Sequence, residues 1–119
     1  MIIRGKVKRG RGLGNKIGFP TVNLEADSLK VIEAGVYRSK VEVDGMIYDA
    51  VTNIGTNPTV GGNPLRCESF IFEFNDDIYE KNITVELFDF IRGEVKFANI
   101  DSLTKQIKAD IEAVKKIIK

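Results

Sequence analysis

The chain has 119 residues, of which 43% are hydrophobic and 29% charged, a balance that belongs to folded globular domains and excludes a disordered segment. Eighteen Lys and Arg against seventeen Asp and Glu leave a net charge of +1, so overall charge neither requires nor excludes a polyanionic partner. Histidine is absent and Cys67 is the single cysteine, which excludes Ser-His and Cys-His dyads, His- or thiolate-built zinc centres and an intramolecular disulfide, and leaves Asp, Glu, Lys or Tyr as any general base.

Met1 to Lys8 reads as a first strand. It carries no apolar core of a signal peptide, and nowhere does an apolar run reach the ~18 residues of a membrane span. A cytoplasmic protein without a membrane partner is expected. Residues 9–30 are rich in glycine and turn formers and read as a long functional loop. The first acidic residue is Glu25, so Arg4, Lys6, Lys8, Arg9, Arg11 and Lys16 make a basic N-terminal stretch that would attract an anion. Within it lie Gly5, Gly10, Gly12, Gly14 and Gly18. Such a loop can bring free backbone N–H groups against phosphate oxygens. It can equally be a flexible basic loop, because neither a P-loop nor a GxGxxG fingerprint is present. Gly18-Phe19-Pro20-Thr21-Val22-Asn23 follows. Pro20 stiffens the backbone and pushes Phe19 to an extended conformation. If the segment is extended, Thr21 and Asn23 point the same way. Their hydroxyl and amide oxygens then suit the hard-oxygen shell of Mg²⁺; the alternative is an ordinary polar turn.

Gly35 to Val43 reads as the next strand, with Asp44-Gly45 as a hairpin turn and a partner strand from Ile47 to Ile54. Gly55 to Pro64 holds three glycines and two prolines and must be loop. A strand at Cys67–Phe74 and another at Ile83–Ile91 complete five or six, several joined by short turns, as in an antiparallel barrel or sandwich. In Glu68-Ser69-Phe70-Ile71-Phe72-Glu73-Phe74, alternation puts Glu68 in phase with three phenylalanines. A carboxylate on an apolar face is costly unless paired or near solvent. Partial desolvation would suit it to act as a general base; the competing reading is a solvated carboxylate at the barrel rim. Cys67 points the other way and reads as packing. Leu103, Ile107, Ile111, Val114 and Ile118 recur at spacings of 4, 4, 3 and 4, one stripe of a terminal helix. Asp101 or Ser102 is its expected N-cap, and Lys115, Lys116 and Lys119 suit its C-terminal end.

Taken in order, these segments resemble the riboflavin kinase family nearly end to end. Gly5-x-Val7-x-x-Gly10 and Gly18-Phe19-Pro20-Thr21-Val22-Asn23 resemble its nucleotide signature, and Gly35-Val36-Tyr37 its next landmark. Asn53-Ile54-Gly55-x-x-Pro58-Thr59 is similar to its NIGxxPT element, and Glu68-x-Phe70-Ile71-Phe72-x-Phe74 to the strand bearing its catalytic glutamate. Arg92-x-Glu94-x-Lys96-Phe97 resembles its flavin-loop motif. Ser102-Leu103-x-x-Gln106-Ile107-x-x-Asp110 resembles its terminal helix. The resemblance implies a single domain, 1–119, folded as a six-stranded antiparallel Greek-key β-barrel with a C-terminal helix. It implies transfer of the γ-phosphate of ATP to the 5′-hydroxyl of riboflavin, giving FMN and ADP. Glu68 would be the catalytic base, and Thr21 and Asn23 would hold Mg²⁺. Gly10, Gly12, Gly14, Lys16, Gly18, Pro20, Thr21, Asn23, Asn53, Arg92 and Phe97 would bind the nucleotide and the flavin. Val22 stands where alanine is common in the family, and Glu80 follows Tyr79 where glycine is common. A monomer is expected, either free-standing or joined to an FMN adenylyltransferase domain. The alternative is a non-catalytic flavin or nucleotide sensor. A nucleic-acid-binding barrel is disfavoured, since only Phe19 supplies an aromatic beside the basic stretch.

Overall fold

Among the residues described by the computed structural model, 1–8, 22–25, 32–56, 65–74, 78–93 and 99–118, six strands precede one helix. They are β1 (Ile2–Lys8), β2 (Val22–Glu25), β3 (Gly35–Val43), β4 (Met46–Thr56), β5 (Leu65–Ile71) and β6 (Asn82–Arg92), followed by α1 (Ile100–Ile117). All pairings are antiparallel, and the strands close into a barrel in the order β1-β2-β5-β4-β3-β6. Strands β3, β4 and β5 are sequential neighbours, and β6 returns to lie beside β3. That spatial order, 6-3-4-5, is a Greek key. Closure leaves no sheet edge among the described strands for another chain to extend. The expected fold is the one observed.

Alternation along the strands separates two apolar clusters. Inward residues such as Ile3, Val41, Ala50, Ile54, Cys67 and Val85, each 0% exposed, fill the barrel. On its outer face Val36, Val51, Phe70, Phe72 and Ile91 meet Ile107, Ile111, Val114 and Ile118 of α1. The helix stripe read from sequence packs there, and each Val or Ile it removes from water contributes about 1.5–3 kcal/mol. At the β3–β4 turn Asp44 and Gly45 have φ of 51° and 82°. Two successive positive φ values define the type I′ hairpin, whose twist matches that of the flanking strands.

Four local expectations differ. Gly55, expected to open a loop, and Thr56 instead extend β4, where they pair with Arg66 and Leu65 of β5. The loop expected at 9–30 contains β2, a short run in which Leu24 is 5% exposed. Four alternating residues among glycines and turn formers leave too little period to read. The strand expected to reach Phe74 stops at Ile71. Glu73 takes a φ of 56°, which turns the chain over, so Phe72 stays under α1 while Phe74 packs into the inner cluster against Tyr48, ring centroids 4.9 Å apart. Only Phe70 and Phe72 therefore share the outer face with Glu68. The helix cap is Asn99, not Asp101 or Ser102: its side-chain oxygen accepts a hydrogen bond from Ser102 N at 2.8 Å. Asn caps as well as Ser or Asp, and the helix is capped two residues before the first of the expected pair. Lys115 and Lys116 do occupy the last turn.

Candidate active site

Strand register brings the candidate residues together. Asn23 of β2 pairs with Glu68 of β5, and Glu68 pairs with Asn53 of β4. Asn53 pairs with Val36 of β3, and Val36 with Arg92 of β6. One row thus runs Asn23–Glu68–Asn53–Val36–Arg92 across five strands. Directly paired residues in antiparallel strands share a face and stand about 4.5–5.5 Å apart at Cβ. The next row, Leu24–Cys67–Ile54, is buried inside the barrel, so this one faces outward. Val36 is 2% exposed beneath α1, whereas Glu68 and Asn23 are half-buried and Asn53 is exposed. Glu68 therefore lies one alternation beyond Phe70, on the outer face that the helix cluster shares. A carboxylate flanked by two carboxamides can accept a proton from an alcohol, while the amides accept and donate hydrogen bonds around it.

The outer end of the row is built with little freedom. Gly35 has a φ of 154°, and a Cβ there would lie 2.5 Å from the Phe90 ring and 2.6 Å from the Arg92 carbonyl oxygen. Glycine is needed because β6 presses on this point, where its register against β3 shifts on both sides of Tyr37. Tyr37 stacks edge-on against Phe90, centroids 5.3 Å apart, and its hydroxyl donates to the Glu33 carbonyl at 2.6 Å. Burial, and then the nearby Glu33 charge, hold the Tyr37 phenol above its ordinary range.

Arg92 is gripped from α1. Its Nε donates to Asp110 Oδ1 and its Nη2 to Asp110 Oδ2, both at 2.8 Å. Gln106 Nε2 donates to Oδ1 at 3.0 Å. Asp110 is 5% exposed. Its part as Arg92's partner was not read from sequence, although the signal was present: Asp110 sits in the apolar stripe between Ile107 and Val114, an in-phase carboxylate like Glu68.

Gly10, Gly12, Gly14, Lys16, Gly18, Pro20, Thr21 and Phe97 lie outside the described residues, so the glycine loop, the Thr21 position and much of the flavin-loop motif are not placed. Among the described residues no group of three or more His, Cys, Asp and Glu is arranged to hold a metal. Of the pair expected to hold Mg²⁺, Asn23 is described, and its amide offers a hard oxygen in this row. Such a donor fits Mg²⁺, which binds few protein oxygens and takes its remaining ligands from phosphates and water.

A family model described as Flavokinase: Riboflavin kinase matches residues 1–118. The chain belongs to the riboflavin kinase family. Among its relatives, the RNA-binding riboflavin kinase RibR of Bacillus subtilis (strain 168) is 43% identical over 116 residues, covering 97% of this chain and 50% of the relative. The bifunctional riboflavin kinase/FMN adenylyltransferase of Haemophilus influenzae is 39% identical over 114 residues, covering 95% of this chain and 37% of the relative. The chain thus spans half or less of the length of these relatives. A crystal structure named as a macrolide-efflux protein from Streptococcus pneumoniae superposes with a TM-score of 0.84 at 37% identity, covering 96% of this chain and 38% of that one. Riboflavin kinase from Trypanosoma brucei superposes with a TM-score of 0.68 at 23% identity over 98% of this chain and 78% of that one, a likeness of fold. A kinase-family domain agrees with the enzyme class that the motifs implied. No described helix is long and apolar enough to cross a membrane.

Proposed function

We propose that this chain phosphorylates riboflavin, transferring the γ-phosphate of ATP to the 5′-hydroxyl to give FMN and ADP. Alongside the family match, the observation that carries the reading is the outward row Asn23–Glu68–Asn53, one carboxylate set between two amides. Glu68 takes the hydroxyl proton as the riboflavin oxygen forms its bond to phosphorus, and the bond from phosphorus to the ADP oxygen breaks in line. Asn23, with Thr21, would hold Mg²⁺. When bound, that ion neutralises charge on the phosphoryl oxygens. The basic glycine loop, with Gly10, Gly12, Gly14, Lys16 and Gly18, would cover the ATP phosphates, and Pro20 would keep the following segment stiff. Asn53 offers its amide on the far flank of Glu68, and Arg92 and Phe97 belong to the flavin side. Little covalent help is needed from the protein, because phosphoryl transfer depends mainly on alignment and charge neutralisation. The reading places the domain in the cytoplasm as a monomer. An FMN adenylyltransferase domain is the fused partner that the bifunctional relatives suggest.

The test is incubation of the protein with riboflavin, ATP and Mg²⁺, with chromatographic detection of FMN and a chelator control. Glu68→Gln should lower turnover by roughly 10²–10⁴-fold, the usual worth of a positioned base, while riboflavin still binds. A fully active Glu68→Gln would sink the assigned role.

A further inference from the structure

The outward row that carries Glu68 is backed by polar groups on the inside of the barrel. Thr52 of β4 and Ser69 of β5 are register partners, and the next pair along the same two strands is Asn53 and Glu68. Neighbours in a strand point to opposite faces, so the two hydroxyls lie directly behind the amide and the carboxylate. The Thr52 hydroxyl is shared: Ser39 Oγ of β3 stands 2.6 Å from Oγ1, and Ser69 Oγ 2.8 Å. All three residues are buried in an otherwise apolar interior. Shape does not explain them, because valine has nearly the outline of threonine. A buried hydroxyl is costly unless it is bonded, and these three satisfy one another.

What the hydroxyls supply is register. Alternation fixes which face of a strand turns inward, but a slip of two residues preserves that face. Counted from the observed pairs, sliding β5 by two residues along β4 would set Thr52 opposite Cys67 or Ile71, and Glu68 opposite Val51 or Gly55. The hydroxyls would lose their partners and Glu68 its place beside Asn53. We infer that Thr52 is a positioning residue: its hydroxyl, bonded to β3 and β5 at once, holds the Glu68 carboxylate in line beside the Asn53 amide. This rests on the riboflavin kinase reading of Glu68.

Thr52→Val removes the shared hydroxyl with little change of shape, and Thr52→Ser keeps it. The triple variant Ser39→Ala/Thr52→Val/Ser69→Ala takes away all three hydroxyls, so none is left buried without a partner. Thermal unfolding and FMN formation, with riboflavin and ATP varied separately, are measured for each, with and without Glu68→Gln. Thr52→Val and the triple variant should lose roughly tenfold or more in kcat, within what a displaced catalytic group costs, with both KM values within about twofold of wild type. Thr52→Ser should stay within about twofold in kcat. Added to Glu68→Gln, Thr52→Val should cost nothing further, since a residue that acts through the carboxylate has no effect once the carboxylate is gone. A folded triple variant with wild-type kcat overturns the positioning role. So does a Thr52→Ser variant as slow as Thr52→Val, or an equal loss with and without Glu68→Gln. A triple variant that does not fold overturns it as well, because the hydroxyls would then be a requirement of the barrel itself. Wild-type protein that makes no FMN overturns the kinase reading and the inference with it, an outcome read from the wild type alone.

Discussion

Glu80 stands where the family commonly has glycine, and its backbone explains the preference: φ is 72°, a left-handed conformation that a Cβ opposes. Both its backbone and its side chain are held. Its N–H donates to the Val7 carbonyl at 2.9 Å. Its carboxylate accepts from Lys8 Nζ at 3.2 Å and lies 3.7 Å from Lys6 Nζ. The hydrogen bond from Lys8, with the charges of Lys8 and Lys6, holds the carboxyl below its ordinary range despite the opposing effect of desolvation. Exposed pairs of this kind are weak and screened by salt, so they offset the backbone strain only in part. Glu80→Ala should therefore be less stable than wild type, since it keeps the strain and loses the pairs. Glu80→Gly should be more stable than Glu80→Ala, because glycine takes this φ freely. Urea unfolding of the three proteins checks the ranking. An alanine variant at or above the glycine variant would show that the left-handed backbone is not what the position selects for.

At the level of elements, local chemistry was legible wherever one residue type answers one geometric demand. Asp44-Gly45 announces a type I′ hairpin because both positions need positive φ, and the helix stripe is visible because five apolar residues keep one period. Gly35 was visible as a landmark but not its reason, since Phe90 and Arg92, which fill the space beside it, lie more than fifty residues away in the chain. The end of β5 was missed for a related cause: alternation continues in the letters through Phe74, while the backbone turns at Glu73. Gly35→Ala tests the element-scale reading. The new methyl would meet the Phe90 ring at 2.5 Å and the Arg92 carbonyl at 2.6 Å, and the ring alone cannot relieve a clash with backbone. The variant should lose about 1–3 kcal/mol, the usual cost of overpacking, read as a lower urea midpoint with the slope unchanged. A midpoint equal to wild type would mean that β6 moves away from β3 at no cost.

The whole barrel also carries an internal polar seam that no single segment could reveal. Ser39 Oγ and Thr52 Oγ1 are 2.6 Å apart, and Thr52 Oγ1 and Ser69 Oγ 2.8 Å, all three residues at most 1% exposed. They come from β3, β4 and β5, so only the closed register makes them partners, just as only register aligns Asn23, Glu68 and Asn53 from three separate motifs. The seam continues to Cys67, whose thiol is hydrogen-bonded with Ser69, yet burial dominates and pushes it from an ordinary 9.0 up to about 12. A thiol in the unfolded chain releases its proton near pH 9, while the folded barrel retains it until about pH 12. Between those values the unfolded state binds fewer protons, so stability is full below pH 9 and declines as pH rises through that window. Lysines and tyrosines titrate there too, but a Cys67→Ala variant shares them, so the difference between the two proteins isolates the thiol. At pH 7 the variant should be less stable than wild type because a buried sulfur has been removed and a cavity left. Between pH 9 and 11 that gap should narrow by about 1.4 kcal/mol per pH unit, the linkage of one proton. Urea unfolding at pH 7, 9, 10 and 11 under reducing conditions gives the gap directly. A gap that stays constant across the series would mean that Cys67 ionises within the folded barrel as readily as outside it, and that the interior is open to water beside Ser69.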